Sequence, residues 1–207
     1  IRRQRQMCIR DSLLGWVRAS DAIGDFTYPY VLENQEFCME YISTTVIKYT
    51  KKLYIRMLAD GIQYYTDRYS WNAGGTITKS LKNKNQLIVD EFSDGAFQAY
   101  TVRLEEASQK GKIYIIDAEF FIDGCNYVEH QYLGLTNSFP VRNLTLCVRV
   151  ANNLKLLECK YNMYGHSVDR VPKISKVIKP KSGIIEHTFK NLVIGERYNL
   201  EWRVVKK

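Results

Sequence analysis

Asp117 and Glu119, two residues apart in the run Ile115-Ile116-Asp117-Ala118-Glu119-Phe120, have the residue types and spacing best suited to acid–base chemistry. On an extended strand, side chains two apart share a face, so both carboxylates project together. Such a pair can serve glycoside hydrolysis, as acid and base or as acid and nucleophile. The plainer reading, which the run favours, is a strand whose carboxylates are solvated or paired with Lys or Arg.

Other chemistries find less support. His130, His166 and His187 fall at no H-x-H or H-x-x-x-H interval, so no metal centre is predicted. G-x-S-x-G is absent, and no motif calls for a cofactor. Cys38, Cys125, Cys147 and Cys159 form no C-x-x-C pair, which argues against a zinc ribbon or a thioredoxin-like site; reduced thiols and a cytoplasmic setting are expected. The sequon Asn143-Leu144-Thr145 matters only in a secreted protein. The run 170–181 carries Arg170, Lys173, Lys176, Lys179 and Lys181 with no acid, and could meet phosphates or an anionic surface. It lacks the interleaved aromatics of single-strand binders. Lysines on an exposed edge strand also discourage edge-to-edge pairing, and that reading is preferred over nucleic-acid binding.

The elements that must position these groups are strands. Fifteen Tyr, eight Phe and three Trp, with many Val, Ile and Thr, fit pleated half-buried surfaces. Residues 37–50 read as strand because β-branched residues lose side-chain freedom in a helix. Lys51-Lys52, Ala59-Asp60-Gly61, 72–75, 83–85, Asp94-Gly95 and 109–111 read as turns. Between them lie strands at 53–58, 62–70, 76–81, 86–92, 96–104 and 112–121. Ser12 can cap a short N-terminal helix, placed at 13–23. No apolar run reaches the roughly 20 residues of a membrane-spanning helix. The fold class expected is mainly β, an antiparallel β-sandwich with a short N-terminal helix. Its β-rich region is 24–137 and its C-terminal strands 138–207, as one domain or two closely packed.

A hairpin is expected for 143–151 and 154–163 around Asn152-Asn153, since Asn tolerates the left-handed turn conformation. That register sets Leu144 opposite Tyr161, Leu146 opposite Cys159 and Val148 opposite Leu157, all on one face. Cys147 and Cys159 then fall on opposite faces and are not disulfide partners. The last strand, 197–204, alternates cleanly, with Tyr198, Leu200, Trp202 and Val204 on its buried face.

Three resemblances add to this. Leu192-x-x-Gly195-x-x-Tyr198-x-Leu200-x-Trp202 resembles the tyrosine corner of fibronectin type III and immunoglobulin-like sandwiches, which implies a structural role for Tyr198. The family's Pro is replaced by Val193 or Ile194. The carboxylate run is similar to the E-x-D-x-E strand of sandwich-fold glycosidases and glucanases, but Ile115 stands where that family has its nucleophile. Residues 1–12 resemble the translated read-through of a sequencing adapter, which implies that they are extraneous and that an upstream domain is missing. They carry four Arg and one Asp, so without them the net charge falls from +8 to +5. The function expected is a non-catalytic recognition or regulatory module at the C-terminal end of a larger protein. A protein partner or an upstream domain would engage it, with exposed aromatics in Tyr64–Trp71 as contact candidates. The alternatives are a carbohydrate-active enzyme using Asp117 and Glu119, and a binder of nucleic acid or an anionic surface.

Overall fold

Polar breaks rich in Gly, Asn and Asp end most strands where the local chemistry demands. At 72–75 the chain reverses through Gly74 and Gly75, with φ of 69° and 89°. A side chain on Gly75 would meet the Asp123 carbonyl at 2.7 Å, so only glycine fits there. The computed structural model describes residues 29–94, 97–127, 130–166 and 168–207. The segment 1–12 and the helix expected at 13–23 lie outside the described residues.

Among the described residues there are thirteen strands and no helix. They are β1 (Tyr30–Tyr41), β2 (Val46–Met57), β3 (Tyr64–Tyr69), β4 (Thr76–Leu81), β5 (Leu87–Asp94), β6 (Phe97–Arg103) and β7 (Ile113–Asp123). After these come β8 (His130–Thr136), β9 (Val141–Val150), β10 (Leu154–Tyr164), β11 (Ile174–Val177), β12 (Ile184–Lys190) and β13 (Arg197–Lys206). A six-stranded sheet runs β12-β9-β1-β2-β7-β4, a four-stranded sheet β11-β10-β13-β8 and a three-stranded sheet β3-β6-β5. Pairing is antiparallel throughout except between β1 and β9, which run parallel. Strands from both sides of residue 138 share the six-stranded sheet.

Both smaller sheets send rings onto one face of the large one. Trp202 of β13 meets Tyr41 edge-on, and Phe189 of β12 meets Tyr198 at 5.2 Å. From the three-stranded sheet, Tyr69 and Tyr100 both reach Phe120 of β7. That face carries Leu53, Ile55, Ile116, Leu144, Leu146 and Ile185, all essentially inaccessible. Burying such side chains contributes about 1.5–3 kcal/mol each before the entropy of ordering is subtracted.

Three expectations are corrected. Lys51-Lys52 is not a turn: β2 runs through it, and the chain reverses earlier, at 42–45, where the Ser43 hydroxyl accepts from the Thr45 and Val46 amides. Lys51 tolerates the core-facing position because Asp67 and the Arg68 carbonyl hold its ammonium at 2.7 and 2.9 Å. The hairpin at Asn152-Asn153 is also not formed. β9 and β10 belong to different sheets, and the two asparagines carry the chain from one to the other. Leu146, set opposite Cys159 by the expected register, is flanked instead by Phe37 of β1 and His187 of β12. Its burial was read correctly from alternation, but its neighbours were not. On β10 the alternation itself breaks: Glu158 takes φ 52° and forms a bulge opposite Trp202, so Leu156 and Cys159 both turn inward while Leu157 is half-buried.

On β13, Tyr198, Leu200, Trp202 and Val204 are buried, as the alternation predicts. The Tyr198 hydroxyl accepts from the Val193 amide at 2.9 Å and donates to Glu196 at 2.6 Å. It ties the strand to the segment that crosses from the six-stranded to the four-stranded sheet.

Candidate functional site

With one face of the six-stranded sheet committed to the core, the other presents every second residue outward, and the strand registers line these residues up in rows. One row reads Thr145, Glu36, Lys52 and Asp117 across β9, β1, β2 and β7, with Lys82 just beyond. Another reads Arg149, Glu40, Lys48 and Phe121. Charges of opposite sign thus sit on neighbouring strands, the arrangement that stabilises cross-strand pairs. Between the charged rows lies a quieter one: Glu186, Cys147, Cys38, Thr50 and Glu119. All of these except Glu119 and Phe121 line a groove of about 580 Å³.

Asp117 and Glu119 do share this outer face. Lys48 holds Glu119 at 2.7 Å and Lys82 approaches Asp117 at 3.4 Å. A general acid donates a proton from a neutral carboxyl; a carboxylate held by an ammonium accepts instead. Asp117 lines the concave groove together with Glu36, Glu40 and Glu186; Glu119 is not part of that lining.

The middle row contains a feature that the spacing of residues did not reveal. Cys38 and Cys147 are direct partners on the parallel β1–β9 ladder, and their thiols influence one another's ionisation. Arg149, two residues along β9 on the same face, faces both. The Cys38 thiol and the Arg149 charge hold Cys147 below the usual thiol range. Cys147 in turn, with burial, pushes Cys38 up. Cys159 behaves as an ordinary buried thiol, raised to about 11 by burial. All four described cysteines are free; Cys147 and Cys159 are unbonded to each other because they sit in different sheets.

The basic run is placed elsewhere. Lys176 lies on β11, an exposed edge strand of the four-stranded sheet, with Arg170, Lys179 and Lys181 exposed on its flanks. Lys173 is engaged by Glu196, the carboxylate that also accepts the Tyr198 hydroxyl hydrogen bond. Five cations adjacent in sequence therefore do not converge on one concave site. Nor is Tyr64–Trp71 an exposed aromatic surface: Tyr65 is buried, and Tyr69 and Trp71 pack against the core. The alternation of β3 turns these rings toward the interior.

The histidines are dispersed. His130 is exposed at the start of β8, and His166 accepts weakly from the Val168 amide. His187 stacks flat on Tyr161 at 3.7 Å, and its burial holds its pKa below the usual value. Among the described residues, no group of three or more His, Cys, Asp or Glu is arranged to hold a metal, and no helix is long and apolar enough to cross a membrane.

No family model matches the chain, and no curated protein matches it. Among solved structures, it is similar to an M1 zinc metallopeptidase from Deinococcus radiodurans, at 9% identity and a TM-score of 0.44, over 86% of this chain and 43% of that one. A mutant of that metallopeptidase bound to a Tyr-Ser-Ala substrate gives 9% identity, a TM-score of 0.45, and 84% and 42% coverage. A two-domain M1 mutant bound to L-tryptophan gives 10%, 0.46, and 86% and 43%. The chain spans less than half the length of each of these structures.

Proposed function

We propose that this chain is a non-catalytic recognition module within a larger multidomain protein. In this reading it is built as a β-sandwich and binds a polypeptide segment of mixed charge in the groove on the outer face of the six-stranded sheet. The observation that carries the reading is the pair of alternating charge rows, Glu36-Lys52-Asp117 and Arg149-Glu40-Lys48, on a concave sheet face opposite the core. A segment with charges at strand spacing can meet both signs along each row, and electrostatic complementarity sets register and specificity. The Tyr198 corner supports a sandwich in which the side chain is structural. The test is a display library of random peptides selected on the folded chain. Mixed-charge sequences are expected, with binding weakened by added salt and lost in a Lys52→Glu, Arg149→Glu double variant. Peptides that bind this variant unchanged sink the reading.

A second reading, carbohydrate hydrolysis by Asp117 and Glu119, draws support from the concavity and from the nearby Glu36 and Glu186. The lysines that hold both carboxylates weigh against it. Release of reducing sugar from a polysaccharide panel, abolished by Asp117→Asn, would favour it over binding.

A further inference from the structure

We propose that Cys38 and Cys147 form a redox-active dithiol in the groove, which exchanges with a small disulfide of the glutathione class. The strand register carries this. As in-register partners on adjacent strands, the two residues have backbones about 4.8 Å apart. That separation lies within the 4.4–6.8 Å Cα range of disulfides, so a bond needs no rearrangement of the sheet. Parallel partners also carry nearly parallel Cα–Cβ bonds, which leaves their Cβ atoms near the strand spacing and wider than the roughly 3.5–4.5 Å a relaxed disulfide takes. The bond therefore closes under strain, and strained disulfides are the readily reduced ones. This pair is a switch and not a staple.

The surroundings suit the chemistry. Cys38 is half-buried and, with Cys147, lines the groove; Cys147 is the more enclosed of the two, at 4% exposure. Arg149 supplies the positive charge that favours a thiolate, while Glu40 and Glu186 face the same place and limit its effect. Cys125 and Cys159 are as buried as Cys147 but lie on other elements, outside the groove lining, and burial raises both. A glutathione-class disulfide carries carboxylates and ammoniums, which the Lys52 and Glu36 row can meet on one side and the Arg149 and Glu40 row on the other.

In the reaction the Cys147 thiolate attacks one sulfur of the small disulfide. The S–S bond breaks, a mixed disulfide forms on Cys147, and the first small thiol leaves with a proton. Cys38 then gives up its proton and attacks the Cys147 sulfur, releasing the second small thiol. The protein pair is oxidised by two electrons, the small disulfide is reduced to two thiols, and the two protons of the protein pair end on them. The inference does not rest on a polypeptide occupying the groove.

The experiment is incubation of the folded chain with glutathione disulfide, followed by alkylation and peptide mapping. A crosslink between the Cys38 and Cys147 peptides is expected ahead of any adduct at Cys125 or Cys159, reversed by dithiothreitol. In C38S the mixed disulfide on Cys147 should persist. In Arg149→Gln exchange should slow, because losing the charge cuts the thiolate fraction by more than it raises the thiol's nucleophilicity. Equal adduct formation at all cysteines, or no Cys38–Cys147 crosslink in the folded wild-type chain, overturns the proposal. The wild-type measurement decides even where a variant fails to fold.

Discussion

Lys51, Asp67 and Tyr100 join the six-stranded sheet to the three-stranded one through a buried polar cluster, and removing one member should cost more than removing the pair. The Lys51 ammonium donates to Asp67 at 2.7 Å and to the Arg68 carbonyl at 2.9 Å; the Tyr100 hydroxyl donates to the other Asp67 oxygen at 2.7 Å. The side chains of Lys51 and Asp67 are 8% and 10% exposed, so neither charge is solvated if its partner is lost. Lys51→Met leaves a buried carboxylate with only a hydroxyl to answer it, which costs about 3–5 kcal/mol. Methionine keeps the aliphatic stem and loses the ammonium, which also lies 5.0 Å over the Phe37 ring, so the loss reports charge and not a cavity. Asp67→Leu strands the ammonium and should cost a similar amount. The double variant removes both charges and leaves one orphaned hydroxyl, for a penalty of about 1–3 kcal/mol; adding Tyr100→Phe should recover part of that. Urea unfolding followed by tryptophan fluorescence gives each value as a shift in midpoint at constant slope. Single variants costing under about 1 kcal/mol, or effects that simply add in the double variant, would refute the reasoning.

Three further outcomes follow from the packing. His187 has a depressed pKa in the fold, so below its unfolded value of about 6.5 the unfolded chain binds more protons and stability falls with pH. Thermal melting between about pH 5 and pH 7.5 should show that loss, and His187→Phe, which keeps the stack on Tyr161, should remove the part due to this residue. Tyr198→Phe should destabilise by about 1–3 kcal/mol in chemical denaturation, because the buried Glu196 carboxylate loses its 2.6 Å donor and the Val193 amide its acceptor. Lys176→Val places a third apolar residue within the exposed edge strand β11, and sedimentation velocity at rising concentration should reveal self-association absent from the wild-type chain.

What a single sequence conveys well is the local alternation of faces, because it has a period of two and needs no partner. It placed Tyr198, Leu200, Trp202 and Val204 in the core, put Asp117 and Glu119 on a common outer face, and located β4 at 76–81. It failed where a distant group changes the local rule. Lys51-Lys52 looks like a break only until Asp67 arrives from another strand to neutralise a core-facing ammonium. The bulge at Glu158 shifts the inward face of β10 by one residue, and nothing in 154–164 announces it.

Alternation also says which side of a strand is buried and never which strand lies beside it. For β9 the near neighbour in sequence, β10, was the natural expectation, since a short connection closes at little entropic cost. The chain instead places β9 between β1 and β12, where Leu144, Leu146 and Val148 continue a row of apolar side chains across the sheet. The strand rows of the groove, its interleaved charges and the meeting of Cys38 with Cys147 all arise from that one parallel pairing. Composition and period fixed the material and its facing; long-range strand partnership, decided by how side chains from distant segments pack, made the site.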